Sequence, residues 1–522
     1  MRLADFLDKG ATIDPHAPCL TTDGQTRSYE QVVSLSYDIA AALAARGVEP
    51  GDKVAIISSN DPTAFTCVFG ISRLGAVWCP INPRNEAGEN RELLELSDCR
   101  VVIFAGAYAD LVERIRADLP LVHTWVCLDE APEGALTWRD FLDGGRDASV
   151  GGEPVDDLAM VVGTGGTTGR PKGVMLSNRS LETMTALTLM SYPFTGRPVY
   201  LTMAPLTHAA GVLCFPILAL GGQIVIMRTA DVGQFLTNVE THAVTHSFLP
   251  PTIVYMILAE EGLDSTDLSS LECLWYGAAP MSPVRLEEAL TRIGPVMAQL
   301  LGQTEAPMMI STLAPRDHFL PDGSVAADRL SSAGRPTPLC TVAIMDVDGS
   351  ILPRGERGEI VVRGSLVMDG YYKNPAATEE ASRFGWHHTG DIGYLDEDDY
   401  LFVVDRAKDM IITGGFNVYS TEVEQALLSH PDVQDCAVIG LPDDHWGEKV
   451  AAVVQLRRGG EASMEDLRAH VKARIGSVKT PKLIEAWSDL PRSKVGKVLK
   501  VDIRDELLQE ARPVIRPGGR AE

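Results

Sequence analysis

Paired cysteines, an export leader, a long apolar run and an excess of basic charge are all missing from this chain of 522 residues. Each absence closes a class of function. The nine cysteines (Cys19, Cys67, Cys79, Cys99, Cys127, Cys214, Cys273, Cys340 and Cys436) stand singly with no CxxC spacing. Neither a zinc site nor a disulfide framework is indicated, and reduced, buried thiols are expected. The opening MRLADFLDKGATIDPH has no apolar h-region and no small-residue cleavage site. The longest apolar stretch, Ala209 to Gly222, is broken by Pro216. It falls short of the about 20 residues a spanning helix needs. A soluble, cytoplasmic protein without a transmembrane anchor is the expectation. With 46 Lys+Arg against 71 Asp+Glu, the formal net charge of -25 speaks against a nucleic-acid or anionic-membrane binder. A local phosphate pocket stays open, because charges farther apart than about 8 Å are largely screened at physiological salt.

What is present is an ordinary globular composition, 45% hydrophobic and 22% charged, long enough for two to four domains. From Tyr29, YEQVVSLSYDIAAALAARGV has the spacing of an amphipathic helix stopped at Gly47. The strand DKVAIISSN follows, then a helical run through Ala64–Leu74. Helix and strand keep alternating through CRVVIFAG, LVHTWVCL, GQIVIMR, THSFLP and LECLWYGAAP. This predicts a large N-terminal domain of mainly parallel α/β layers. After Ser332 the texture changes, with hairpin punctuation at Asp348-Gly349 and Arg357-Gly358, which predicts an antiparallel β region. Near Asp405 a compact α+β tail module begins, with capping boxes expected at Thr421/Glu424 and Ser463/Asp466.

The segment TGGTTGRPKG, Thr164 to Gly173, leaves a strand and precedes a helical run that Asn178 or Ser180 could cap. Its glycines let a backbone approach a ligand closely, its threonines add hydroxyl donors and Lys172 adds a charge, which together suit a phosphate. It is not a Walker A loop, since Pro171 precedes Lys172 and Gly173 follows it. Nor is it a dinucleotide fingerprint, since Thr168 stands at the third glycine. On this stretch alone, a surface loop and a phosphate cradle both remain open.

Further landmarks follow in order: PLTHAAG (Pro205–Gly211), GAAP (Gly277–Pro280), GQTE (Gly302–Glu305), GEIVVRGSLVMDGYYKNP, GWHHTGDIG, DRAKDMIITGGFNVYSTEVE and LPRSKVGKVLK. In sequence and spacing these resemble the superfamily of acyl-CoA synthetases, luciferases and peptide-synthetase adenylation domains, over nearly the whole chain. The resemblance implies ATP, Mg²⁺ and coenzyme A as cofactors or co-substrates, with a carboxylic acid as the small-molecule partner. Thr164, Gly165, Gly166, Thr167, Thr168, Gly169 and Lys172 are its phosphate loop. Gly277, Ala278, Ala279 and Pro280 form the adenine-side turn, continued by Gly302, Gln303 and Thr304. Thr304 is implied to contact the α-phosphate, Glu305 to hold the metal, Asp391 to accept the ribose hydroxyls and Arg406 to add a ribose or phosphate contact. Lys497 is the implied main catalytic residue, touching both carboxylate and α-phosphate, and His208 lies against the acyl carboxylate. Lys408 is the hinge residue, and Gly414, Gly415 and Phe416 face the pantetheine of coenzyme A. Turn glycines without a partner are the competing reading of the last group. Lys494 and Lys500 read as surface charges.

The pattern is broken at Gly165, where the family usually has serine, at Leu301, where an aromatic usually stacks on adenine, and at Ser420, where proline is usual. The first two imply weaker ATP binding with the chemistry retained. The expected organisation is an ATP- and acyl-binding domain over 1–404, a hinge over 405–409 and a mobile domain with the lysine loop over 410–522. The expected reaction is activation of a hydrophobic acid, fatty or aromatic, to an acyl-adenylate and then to acyl-CoA. Phe215, Phe248, Tyr255 and Tyr276, with Met308 and Met309, are expected to wall the acyl pocket. An adenylating enzyme serving a carrier protein, and a silent nucleotide-binding homologue, are the alternatives. A homodimer and a lysine acetyltransferase acting on Lys497 complete the expected partners, since acetylation deletes the charge adenylation needs.

Overall fold

β-Branched runs such as KVAII, RVVIF and QIVI suit strands buried on both faces, where no alternation is needed. The computed structural model describes residues 1–145, 157–164, 171–443, 445–492 and 498–510 (without the side chains of 509 and 510). By contacts the chain divides into two units. The larger comprises Met1–Gly355, Val361–Thr389 and Leu395–Phe402; the smaller comprises Glu356–Ile360, Gly390–Tyr394 and Val403–Glu522.

In the larger unit the KVAII strand, Lys53–Ile57, lies between Val77–Ile81 and Cys99–Phe104, parallel to both. That sheet continues through β1 (Leu158–Thr164) to β2 (Lys172–Ser177) and ends at β3 (Gly370–Tyr371). The last two joins are antiparallel. A second sheet carries parallel neighbours Gln223–Ile226, Val199–Thr202, His246–Leu249, Cys273–Tyr276 and Met297–Leu301. It ends in antiparallel Ser311–Leu313 and Arg335–Pro336. Besides the two sheets of the larger unit, the chain has a four-stranded sheet in the order Thr341–Met345, Gly358–Arg363, His387–Leu395, Leu401–Arg406. The α/β fold with an added β region is therefore as expected.

Helix Tyr29–Ala45 stops just before Gly47, and Ser28 caps it, accepting the Gln31 N–H. The helix after the phosphate loop, α1 (Asn178–Ser191), is capped one residue earlier than expected. Ser177 accepts the Ser180 N–H at 3.2 Å, and Asn178 is already helical. The punctuation expected at Arg357-Gly358 is not a turn: Gly358 opens a strand, and Gly355 carries the positive φ. Asp348-Gly349 does turn the chain, with an Asp346 N–H to Ser350 carbonyl bond of 3.0 Å. All nine cysteines are free and buried. No helix among the described residues is long and apolar enough to cross a membrane.

In the smaller unit, β4 (Ile411–Thr413) and β5 (Phe416–Val418) form a hairpin beside the long antiparallel pair Val433–Asp443 and Gly447–Leu456. Helix α2 (Ser420–Leu428), helix Met464–Ile475 and α3 (Lys500–Glu510) pack on that sheet. The Ser463/Asp466 capping box is present. The one at Thr421/Glu424 is not, because α2 already begins at Ser420 and Glu424 is spent elsewhere, holding the Val438 N–H at 2.8 Å.

Two histidines are buried in the second sheet's surroundings. His246 stacks on Phe194 at 4.5 Å, and His318 bonds the Tyr276 hydroxyl at 3.1 Å. Burial lowers each imidazole from 6.5 to about 4, against weaker opposing pulls that include Glu272 and Asp317. The unfolded chain therefore binds more protons between about pH 4 and 6.5, so stability is full above that window and falls as pH drops through it. Lowering the pH from neutral to about 5.5 is predicted to cost roughly 1 kcal/mol per histidine. Urea midpoints at the two pH values check this, and a His318→Gln variant should show the shallower dependence.

Candidate active site

β1 pairs antiparallel with β2, and Thr164 faces Lys172. The Thr164 hydroxyl donates to the Lys172 carbonyl at 3.3 Å. β3 pairs along the other side of β2, Tyr371 opposite Val174, and the Tyr372 N–H reaches the Gly173 carbonyl at 2.7 Å. The Tyr371 hydroxyl donates to Glu305 Oε1 at 2.9 Å, and the Lys172 ammonium sits 4.6 Å from the centre of the same ring. Three segments far apart in sequence thus converge inside the larger unit. Lys172 and Glu305, singled out from separate motifs, are brought together. Tyr371, which holds them, had no assigned role.

Around Glu305 the backbone is tightly determined. A Cβ at Gly302 would lie 2.2 Å from the Met308 nitrogen, so only glycine fits there. Gln303 donates from Nε2 to the Thr389 carbonyl at 2.8 Å, and the Met368 N–H holds the Glu305 carbonyl at 2.8 Å. Thr304 and Leu301 are half-buried. In the neighbouring turn Gly277 is buried, while Ala278, Ala279 and Pro280 are exposed and Ala278 takes φ +68°. A left-handed alanine is strained, which suits a turn that presents its backbone. His208 starts a short helix, Ala209–Val212, with Nδ1 2.8 Å from the Thr207 hydroxyl.

The expected acyl-pocket wall is largely core. Phe215 is fully buried and stacks on Phe6 at 5.6 Å; Tyr276 is buried with its hydroxyl on His318. Met309 and Phe248 are buried too, while the half-buried Tyr255 accepts the Ser282 N–H on its hydroxyl at 2.8 Å. Their sequence proximity to the motifs reflected the strands that carry the motifs, whose packing consumes these side chains.

In the smaller unit, buried Asp391 receives Arg406, Nε to Oδ1 at 3.1 Å. Both expected ribose contacts therefore sit together. Lys408 is exposed. Gly414 and Gly415 are the two central residues of the β4–β5 hairpin, at φ +56° and +81°, the combination of a type I′ turn. A Cβ on Gly414 would meet the Trp446 ring at 2.7 Å. The turn favours residues that accept a positive φ, glycine above all, at both positions, and it leaves Phe416 60% exposed. Gly165, Gly166, Thr167, Thr168, Gly169 and Lys497 lie outside the described residues.

Lys500, expected as a free surface charge, is half-buried and paired. Its ammonium donates to the Ser420 hydroxyl at 2.6 Å and pairs with Glu424 at 2.7 Å. Ser420 in turn gives its hydroxyl to Asp405 Oδ1 at 2.9 Å and its N–H to Asp405 Oδ2. Burial alone would lower the lysine's pKa, yet Glu424 and Asp405 outweigh it and raise it. Asp405 moves up, because its burial outweighs the opposing Lys500. No sequence signal linked Lys500 to the others, because Asp405, Ser420 and Glu424 lie in one motif and Lys500 in another.

Comparison with known proteins places this geometry. The family model described as AMP-binding enzyme matches residues 7–372, and the AMP-binding enzyme C-terminal domain matches 422–497. A feruloyl-CoA synthase from Amycolatopsis sp is 36% identical over 95% of this chain and 96% of its own. A medium/long-chain-fatty-acid–CoA ligase from Mycobacterium tuberculosis is 40% identical over 67% of this chain and 62% of that protein. Among solved structures, an amide bond synthetase from Marinactinospora thermotolerans superposes with a TM-score of 0.87 at 30% identity, covering 97% of this chain and 99% of that one.

The Lys500 cluster yields a stability prediction. Lys500→Met leaves Glu424 and Asp405 without their cation and is expected to cost about 2–3 kcal/mol, less than for a fully buried pair. Denaturant unfolding followed by a probe in the smaller unit checks it, and Lys500→Arg should recover part of the loss.

Proposed function

The chain belongs to the AMP-binding enzyme family, and on that premise we propose that it is an AMP-forming acid–thiol ligase. It activates a hydrophobic carboxylic acid, fatty or aromatic, with ATP and passes the acyl group to coenzyme A. Relatives named as feruloyl-, indoleacetate- and fatty-acid–CoA ligases support this reading. The observation that carries it is the convergence of Lys172 and Glu305 on Tyr371, a cation and a carboxylate held at one place beside the phosphate-loop strands.

The chemistry asks for that pairing. A carboxylate oxygen attacks the α-phosphorus of ATP and pyrophosphate leaves; a thiolate then attacks the acyl carbon and AMP leaves. The first step brings an anion onto a polyanion, so donors and positive charge must already be in place. Lys172 and the loop from Thr164 to Gly169 cradle the phosphates, Thr304 donates to the α-phosphate, and His208 borders the acid. Lys497 bridges carboxylate and α-phosphate in this account. Asp391, oriented by Arg406, accepts from the ribose, and the turn Gly277–Pro280 with Gly302 and Gln303 borders the adenine. Glu305 fits Mg²⁺, since a single carboxylate with phosphate oxygens and water is the usual set for this hard cation. When bound, the ion neutralises phosphate charge.

Lys408 serves as the hinge, with domains meeting near 405–409, and Gly414, Gly415 and Phe416 serve the pantetheine arm. The setting is cytoplasmic, with a second copy of the chain and an acetyltransferase acting on Lys497 as regulatory partners. ATP–pyrophosphate exchange tests the first half-reaction directly. Lys497→Gln is expected to lower it by about 10²–10³, while thioester formation from supplied acyl-adenylate persists. Full exchange in that variant contradicts the assignment.

A further inference from the structure

Tyr371 carries several structural obligations at once. Its N–H donates to the Thr378 hydroxyl oxygen at 2.9 Å, its backbone pairs with Val174, its hydroxyl donates to Glu305 and its ring faces Lys172. The side chain is buried at 8% exposure. Lys172 and Glu305 bear opposite charges in one neighbourhood. A direct ion pair between them would consume both groups.

We propose that Tyr371 is a positioning residue that keeps Lys172 and Glu305 apart and correctly turned, so that the lysine stays available to phosphate and the carboxylate to a divalent cation. This rests on the ATP-binding reading above. The ring face holds the ammonium by a contact it can exchange for a phosphate oxygen. The hydroxyl commits one carboxylate oxygen and thereby fixes the direction of the other. Met368, two residues before β3, holds the backbone carbonyl of Glu305, so one short segment determines both ends of that residue. A hard cation that demands near-ideal octahedral geometry gains most from a ligand fixed in advance.

The test separates positioning from mere support. Mn²⁺ is the probe, its binding to the protein–ATP complex read by electron paramagnetic resonance, alongside calorimetric ATP binding in EDTA. Tyr371→Phe keeps the ring and loses the hydroxyl. It is expected to weaken Mn²⁺ binding about tenfold, with metal-free ATP affinity and thermal midpoint unchanged. Tyr371→Leu is expected to weaken metal-free ATP binding as well, because Lys172 then closes on Glu305. Adding Tyr371→Phe to Glu305→Gln should cost nothing further. Unchanged Mn²⁺ affinity in Tyr371→Phe overturns the proposal, and so does a parallel loss of metal-free ATP binding and thermal stability. Wild-type protein that binds no ATP overturns the functional reading itself, and this role with it.

Discussion

The short antiparallel contact of Tyr371 with Val174 is the constraint on which the candidate site depends. It joins the antiparallel end of a mainly parallel sheet to a segment that arrives from far along the chain. Through it the strand leaving the phosphate loop is set against the turn that carries Glu305. A parallel sheet presents loops at strand ends but leaves their mutual distance free. Two residues of β3 remove that freedom at modest cost, because main-chain hydrogen bonds on both sides of β2 are satisfied at once.

The second theme is how an acidic chain keeps positive charge where it is needed. A net charge of -25 opposes any anion approaching from a distance, though salt screens most of that field. The balance is local in each unit: in the larger, Lys172 lies against an aromatic face, and in the smaller, Arg406 lies against Asp391. In the smaller unit Lys500 is held between Glu424 and Ser420, with Asp405 on the serine's other side. Ser420 matters here because it offers both an N–H and a hydroxyl to Asp405. The proline usual at that position in the family has neither.

Much of the architecture was legible beforehand. The parallel strands announced themselves through unbroken β-branched runs, and helix Tyr29–Ala45 through its spacing and the glycine after it. The box at Ser463/Asp466 formed because nothing competes for either residue. Its twin at Thr421/Glu424 failed because Glu424 has better partners in Lys500 and the Val438 N–H. The motif residues were legible as motifs, but their supports were not. Tyr371 lay in plain view inside GYYKNP, yet its role depends on Glu305, which no local pattern connects to it. Lys500 looked like one more charge in a basic run, since its carboxylates belong to other segments. Phe215 and Tyr276 looked like pocket lining because they lie near motifs, and local sequence does not distinguish lining from core.

The central claim is that one protein carries an acid through adenylate to thioester. The most direct measurement incubates it with ATP, Mg²⁺ and coenzyme A across acids from acetate through octanoate and palmitate to benzoate and cinnamate, following AMP and acyl-CoA together. The account predicts equal amounts of both, dependent on coenzyme A, with a fatty or aromatic acid preferred over acetate. Pyrophosphate release with no acyl-CoA for any acid, or AMP formed independently of the thiol, would contradict it.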